Sequence, residues 1–171
     1  MNDAASTYGV GLDEIRAAAN QLDGQVVRTP LVSATRLSAM FGCEVYLKLE
    51  NQQYTGSFKD RGSYIKLLSL SDEQKRTGVI AMSAGNHAQG VAFHAQRLGI
   101  PATIVMPTTA PFSKVERTRG FGARVIQNGP TIDEAADKAK ELMDTEGLTF
   151  VHPYDDPATI SGQGTIGLEM L

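Results

Sequence analysis

Apolar and polar positions along the first fifty residues predict two helices and a strand. Over Leu12–Leu22 the apolar residues recur on one helical face, and a glycine follows at position 24, where a helix would end. Thr35–Phe41 predicts a short helix closed by Gly42, and residues 44–50 alternate apolar with polar side chains as a half-buried strand does. The chain is therefore expected to open with these three elements joined by turns.

Strand and helix patterns alternate through the rest of the chain, starting with a helical run after Ser57 that ends near Leu70. Strands separated by helices of this length predict the α/β class, with a parallel sheet covered by helices on both faces. In such sheets the functional groups lie on loops that leave the carboxyl ends of strands. The predicted strands are residues 79–82, 102–106, 123–126 and 148–151, and the helices between them run to Leu98, from Pro111, and over residues 131–146.

Composition narrows the possible partners. The 171 residues are 42% hydrophobic and 20% charged, which allows one or two compact domains. The 16 basic and 19 acidic residues give a net charge of −3 without a dense basic cluster, so we expect no nucleic-acid partner. Residues 1–10 lack the pattern of a leader, and no stretch approaches the roughly 20 apolar residues of a membrane span. We expect a cytoplasmic protein without a membrane partner.

The cysteine and histidine residues argue against a metal site. Cys43 is the only cysteine, which excludes an intramolecular disulfide and a zinc site built on thiolates. His87 and His94 are seven residues apart, too far for a metal pair on one helix. We therefore predict no metal, with a packed or surface role for His94.

The first loop with candidate chemistry, residues 51–62, places Lys59 in the first turn of a helix. The positive end of the helix dipole disfavours an ammonium ion there, and partial burial acts in the same direction. Both favour a neutral amine that can form a Schiff base. The alternative is a solvated surface lysine paired with Asp60 or Asp72.

The second loop, residues 83–90, follows an apolar strand and opens a helix. Gly85 and Gly90 permit close approach of the backbone, and exposed amides at a helix start, with the Ser83 hydroxyl and the Asn86 amide, form a receptor for a carboxylate. The alternative is an ordinary helix cap supplied by Ser83 or Asn86. Taken alone, the loop leaves both interpretations open.

Taken together, the two loops resemble a known family. The motifs KLEN at 48–51, TGSFKDRG at 55–62 and SAGNHAQG at 83–90 are similar to those of the threonine dehydratase and serine racemase branch of the tryptophan-synthase-β-like (fold type II) pyridoxal-phosphate enzymes. The resemblance extends over residues 12–167. It implies an α/β fold of two domains, with residues 1–77 and 152–171 in a larger cofactor domain and residues 78–151 in a small mobile domain.

The resemblance implies an elimination reaction that depends on pyridoxal 5'-phosphate. L-threonine would give 2-oxobutanoate and ammonia, and L-serine would give pyruvate and ammonia. Lys59 would hold the cofactor as a Schiff base and then take the Cα proton, while Phe58 would pack on the pyridine ring and Asn86 would bind its hydroxyl. The substrate carboxylate would be held by Ser83, Ala84, Gly85, Asn86 and His87.

One position separates activities within this branch. The racemases place a second serine where this chain has Ala84, and alanine has no proton to exchange at the opposite face of the Cα. Elimination is therefore favoured, with a serine racemase or a hydroxyaspartate dehydratase as the alternative. A shortened, non-catalytic module that acts through its surface is the alternative from another class.

The resemblance also implies residues that this sequence does not contain. Relatives hold the cofactor phosphate in a glycine-run loop and the pyridine nitrogen with Ser, Cys or Thr, both expected after Leu171. We therefore expect residues 1–171 alone to bind the cofactor weakly, and the complete subunit to be a homo-oligomer. Two minor expectations remain: residues 162–165 pack their backbone at a helix start, and His152 caps the strand before it.

Overall fold

A computed structural model describes residues 9–171 of the chain. Residues 1–8, which contain the start of the predicted cofactor domain and most of the segment examined for a leader, lie outside the described residues. The elements follow in the order α1 (Leu12–Leu22), β1 (Leu31–Ser33), α2 (Thr35–Phe41), β2 (Tyr46–Lys48), a 3-10 turn (Glu50–Gln52), α3 (Lys59–Leu68), α4 (Asp72–Thr77), β3 (Val79–Met82), α5 (Asn86–Leu98), β4 (Ala102–Met106), α6 (Phe112–Gly120), β5 (Arg124–Gln127), α7 (Ile132–Glu146), β6 (Thr149–Phe150) and α8 (Pro157–Met170).

Four strands form the expected parallel sheet, in the order β5-β4-β3-β6. Alternate residues of the strands pack on opposite faces, because successive side chains of a strand point to opposite sides. Val79 and Ala81 join a core with α5 and α6, whereas Ile80 packs against α7. Both faces are therefore covered by helices, which confirms the predicted α/β class.

The strand predicted at residues 44–50 pairs outside the parallel sheet. The observed β2 is shorter, and it pairs with β1 in antiparallel register, with Val32 opposite Leu47. Alternation along a strand shows which side chains share a face, but not the direction of the neighbouring strand. The two-stranded antiparallel ribbon is an addition to the predicted parallel sheet that the sequence analysis did not foresee.

Helix α3 ends at Leu68, before the predicted limit near Leu70, and a further helix, α4, follows that the apolar pattern did not predict. All six residues of α4 are polar, so it has no apolar stripe. Its start is marked by Ser71, whose hydroxyl accepts the amide of Gln74 while the Gln74 side chain accepts the amide of Ser71. The sequence feature that marks this helix start is therefore a capping box and not an apolar pattern.

Helix α3 lies between α5 and α8 at very short range. A Cβ atom on Gly162 of α8 would lie 2.7 Å from the Cα of Gly62 and 2.8 Å from the carbonyl oxygen of Arg61. A Cβ atom on Gly90 of α5 would lie 3.2 Å from the backbone of Lys59. The expected backbone packing of residues 162–165 is confirmed, but their expected place at a helix start is wrong, because α8 begins at Pro157.

Two helices, α5 and α8, thus pack against the start of α3, which is where the candidate site lies. No helix within residues 9–171 combines the length and the apolar character needed to cross a bilayer.

Candidate active site

Lys59 is the first residue of α3, as the sequence predicts. Its amine is part-buried and donates to the carbonyl oxygen of Pro153 at 2.6 Å, and it lies 5.0 Å from the centre of the Phe58 ring. Burial lowers the pKa of the Lys59 amine, because an ammonium ion loses hydration there. Among the described residues, the Lys59 amine pairs with neither Asp60 nor Asp72 and donates to a backbone carbonyl instead.

The turn before Lys59 is held by its own side chains. The fully buried Asp60 carboxyl accepts the amide of Thr55 at 3.0 Å and also the Thr55 hydroxyl, and burial raises the pKa of Asp60. The Ser57 hydroxyl accepts the amide of Lys59 at 3.1 Å. These bonds hold the backbone of the turn at Lys59, and the neighbouring Phe58 is 40% exposed.

A buried ion network supports α3 one residue further on. The Arg61 guanidinium is fully buried and donates to Glu50 at 2.8 and 2.9 Å and to Glu169 at 2.6 and 3.0 Å. Lys48 donates to Glu169 from the other side. Two cations and two carboxylates balance, which is the condition for keeping such charges out of water. We define these four residues as the Arg61 network: Lys48, Glu50, Arg61 and Glu169.

Hydrogen bonding overrides burial inside this network. Burial alone raises the pKa of Glu50 and of Glu169, but hydrogen bonds from Arg61 hold both values below the usual range. Burial lowers the pKa of Arg61, but its bonds to Glu50 and Glu169 have the larger effect. The pKa of Arg61 is therefore raised above its usual value. All three groups therefore stay charged at neutral pH, and α3 is tied to the 3-10 turn and to α8.

The second loop ends in a helix start without a side-chain cap. Gly85 is the N-cap residue of α5, and the Ser83 hydroxyl accepts the Gly85 amide at 3.1 Å. Asn86 is the first residue of the helix and is exposed. The alternative in which Ser83 or Asn86 caps the helix is wrong. The first amides of α5 remain donors for an anion.

Lys114 reaches this loop from α6, a contact that the sequence analysis missed. Its amine donates to the side-chain oxygen of Asn86 at 3.3 Å. Because an ammonium group only donates, the contact assigns the oxygen of Asn86 to Lys114 and leaves the amide nitrogen free to donate elsewhere. The available signal was the placement of Lys114 in the first turn of a predicted helix, the feature that singled out Lys59.

The side chain of His87 is buried, whereas its backbone belongs to the loop. Its ring is 3% exposed, and Nε2 is 2.8 Å from the carbonyl oxygen of Val151. Burial lowers the pKa of His87 to about 4, although the bond to Val151 acts in the opposite direction. The ring is neutral at physiological pH, so any carboxylate held by this residue must be held by its backbone amide.

The segment 151–155 completes the site from the carboxyl end of β6. The ring nitrogen Nδ1 of His152 accepts the amides of Tyr154 and Asp155 at 3.3 and 2.7 Å. His152 therefore caps the turn that follows it, and the expectation that it caps the preceding strand is wrong. The bond from Lys59 to the Pro153 carbonyl joins backbone and side chain across 94 residues, so the sequence carried no signal for it.

The site thus brings an amine, an aromatic ring and a set of free amides to adjoining helix starts. Comparison with known proteins shows the family to which the chain belongs. The family model described as "Pyridoxal-phosphate dependent enzyme" matches residues 22–171. The chain belongs to this family of pyridoxal-phosphate dependent enzymes. An L-threonine ammonia-lyase of Thermotoga maritima is 52% identical over 162 residues, which are 95% of this chain and 40% of that protein.

Solved structures of the family show the same fold. A maize serine racemase is 40% identical with a TM-score of 0.91, over 96% of this chain and 50% of that one. The processed form of threonine deaminase isoform 2 of Solanum lycopersicum is 43% identical with a TM-score of 0.84, over 94% of this chain and 46% of that one. The chain therefore spans about half the length of the relatives that it matches.

The residues present fit the cofactor of this family. An aldehyde needs an uncharged amine, and burial lowers the pKa of Lys59. A flat ring needs an apolar face, and Phe58 offers an exposed one beside that amine. A ring hydroxyl needs a donor, and the contact with Lys114 leaves the amide nitrogen of Asn86 available.

Proposed function

We propose that this chain is the lysine-bearing part of an ammonia-lyase for hydroxyl amino acids, which converts L-threonine to 2-oxobutanoate and ammonia or L-serine to pyruvate and ammonia. The observation that carries the proposal is the part-buried Lys59 amine at the start of α3, next to the uncapped start of α5. The relationship to an L-threonine ammonia-lyase at 52% identity supports the choice of reaction.

Pyridoxal phosphate, when bound, supplies the electron sink that the reaction requires. Lys59 would hold the cofactor through its amine and, once its amine is free again, would remove the Cα proton of the substrate. Its lowered pKa suits a base that must be uncharged before it acts. Phe58 would pack on one face of the cofactor ring, and the N–H of the Asn86 side chain would donate to the ring hydroxyl.

The substrate carboxylate is received by the loop of Ser83, Ala84, Gly85, Asn86 and His87. The amides at the start of α5 supply hydrogen bonds and the positive end of the helix dipole, and the nearby ammonium of Lys114 adds a charge of the same sign. An amino acid held by its carboxylate presents its Cα–H bond in one direction, which is what positions the proton for Lys59.

Residues 78–151 form, in this proposal, a small mobile domain that closes over the substrate, while residues 1–77 and 152–171 belong to the cofactor domain. All four strands of the parallel sheet lie within residues 79–150, and the carboxylate loop leaves one of them. Closure excludes water before the proton is removed. Exchange protection of this domain should rise with substrate; unchanged protection would count against closure.

A serine racemase is the second candidate, because a maize serine racemase is among the similar structures. Ala84 favours elimination over racemisation, since it has no proton to deliver to the opposite face of the Cα. L-serine should therefore yield pyruvate and ammonia. Accumulation of D-serine as the main product would contradict the lyase and support the racemase.

The deciding experiment uses the complete subunit, saturated with pyridoxal phosphate and supplied with L-threonine. We expect 2-oxobutanoate and ammonia in equal amounts, and a loss of about a thousandfold or more in turnover for Lys59→Ala. A matched control is Lys66→Ala. It removes another lysine of α3, one that pairs with Asp156, and should leave the turnover unchanged. Unchanged turnover in Lys59→Ala would overturn the proposal.

Cell location and assembly belong to the same proposal: a cytoplasmic homo-oligomer, as expected for a metabolic enzyme of this family. Fractionation of cells and light scattering of the purified subunit measure the two properties directly.

A further inference from the structure

Two ends of the site are joined by one short backbone segment, residues 151–153. The carbonyl of Val151 contacts Nε2 of His87 at 2.8 Å, and the carbonyl of Pro153 accepts the Lys59 amine at 2.6 Å. His87 is the second residue of α5, directly after Asn86. A bond from His87 therefore sets the carboxylate loop against the segment that holds the lysine.

The chemistry of the bond defines the state of the His87 ring. A carbonyl oxygen only accepts, so Nε2 must carry the proton and donate. The other ring nitrogen, Nδ1, is buried and has no hydrogen-bond partner among the residues that the structure describes. Leaving a buried acceptor without a partner costs free energy, and the donor bond to Val151 offsets that cost.

The segment is stiff enough to transmit a position. The amide of Val151 continues the sheet by donating to Ile80 at 2.9 Å, and the carbonyl of His152 accepts the hydroxyl of Thr159 at 3.2 Å. The amides of Tyr154 and Asp155 are held by the His152 ring. Each residue from 151 to 155 is therefore bonded by its backbone or side chain.

We propose that His87 is a positioning residue: by donating from Nε2 to the Val151 carbonyl, it fixes the segment 151–153 and thereby holds the Lys59 amine in register with the carboxylate loop. His87 acts through Val151 and Pro153, and its ring touches neither the cofactor nor the substrate. The inference rests on the proposed function only for the role of Lys59, since the contacts themselves lie within the protein.

The chain offers a matched control on the same helix. His94 lies seven residues later, is also fully buried, and burial likewise lowers its pKa, to about 3. Its ring contacts Tyr64 and Phe93, and its Nδ1 lies 3.4 Å from the Arg97 guanidinium. His94→Leu therefore loses a buried imidazole of the same kind without touching the bond to Val151.

The test measures Lys59 in the complete subunit freed of cofactor, so that its outcome does not depend on turnover. Reductive methylation with formaldehyde and cyanoborohydride, followed by peptide mapping, gives the rate at Lys59 relative to the exposed Lys140. We expect His87→Leu to raise this ratio about fivefold, the factor that one net hydrogen bond is worth. His87→Gln, whose amide can still donate to Val151, and His94→Leu should stay within about twofold of the parent, a difference smaller than one net hydrogen bond.

Two results would overturn the inference: an unchanged ratio in His87→Leu, or an equal rise in His87→Gln or His94→Leu. If His87→Leu does not fold, His87→Asn replaces it, because its shorter amide does not reach the Val151 carbonyl, and the same rise in the ratio is expected. Nitrogen-15 imidazole shifts of the parent should show a protonated Nε2 and a bare Nδ1 at His87. A protonated Nδ1, or a raised ratio in a folded His87→Gln, would reject the role. Loss of turnover in all variants with unchanged ratios would reject the inference and leave the proposed function standing.

Discussion

The two ends of the site differ in how completely they are built before any ligand binds. At the lysine end, the buried Arg61 network and the Asp60 carboxyl hold the start of α3 through side chains from several elements. At the carboxylate end, the start of α5 has no side-chain cap, and Asn86 has one long bond, to Lys114. The difference agrees with the proposed roles, because a covalent anchor needs a fixed position, whereas an anion receptor needs unused donors.

The largest expected effect comes from breaking the lysine end. Arg61→Leu leaves the carboxylates of Glu50 and Glu169 part-buried and without their main partner, which should cost about 3–5 kcal/mol of unfolding free energy. Urea unfolding of the cofactor-free subunit measures this loss.

The control is another arginine in an ion pair, but at the surface. Arg124 pairs with Glu146 at 2.9 Å with more than half of its side chain exposed, so Arg124→Leu should cost no more than about 1 kcal/mol. Equal costs for the two variants would mean that the network does not stabilise α3 in the way that its burial suggests.

A smaller effect is expected where α8 touches α3. Gly162→Ala places a methyl group within 2.8 Å of the α3 backbone, which should cost about 1–3 kcal/mol. Gly167→Ala, on the same helix with nothing within 4 Å, should instead gain about 0.5–1 kcal/mol from helix propensity. The pair compares one substitution in two settings by the same unfolding measurement. A gain in both would show that α3 and α8 are not in close contact.

The two buried histidines of α5 sharpen the comparison through pH. Burial lowers the folded-state pKa of His87 to about 4 and of His94 to about 3, while the unfolded side chains titrate near 6.5. The unfolded state therefore binds more protons below pH 6.5, and stability is lost as the pH falls from 6.5 towards 4. Each histidine should contribute a slope approaching about 1.4 kcal/mol per pH unit.

His94→Leu removes one of these contributions, so its unfolding free energy should change less steeply between pH 6.5 and 5 than that of the parent. Parallel slopes for the two proteins would contradict a neutral, buried His94.

The smallest effect is expected at the carboxylate end. Lys114→Met removes the contact to Asn86 from an exposed position, so the unfolding free energy should change by no more than about 0.5 kcal/mol. Differential scanning calorimetry measures it. A loss as large as that of Gly162→Ala would erase the contrast between the two ends.

Elements with an apolar stripe could be predicted from the sequence, and those without one could not. Helix α1 has the predicted bounds, and the four parallel strands lie within a residue or two of those predicted, because their apolar residues report burial directly. Helix α4 and the antiparallel pairing of β1 with β2 were missed. The first depends on a capping box in a fully polar segment, and the second on a neighbour that alternation does not reveal.

The site shows the same division. The place of Lys59 at a helix start was predictable, since a strand pattern precedes it and a helix pattern follows. The Arg61 network was not, because its members are spread from Lys48 to Glu169 and charged residues ordinarily lie at the surface. The bonds to the carbonyls of Val151 and Pro153 were also hidden, since every residue has a carbonyl and sequence does not mark the one that is used.

The central claim is that the part-buried amine of Lys59 forms the covalent bond with the cofactor. The most direct measurement is borohydride reduction of the complete subunit with pyridoxal phosphate bound, followed by peptide mapping. The account predicts a reduced pyridoxyl label on Lys59, with Lys48 and Lys66, which are both engaged in ion pairs, left unlabelled. A stoichiometric label on any other lysine, with Lys59 unmodified, would contradict it.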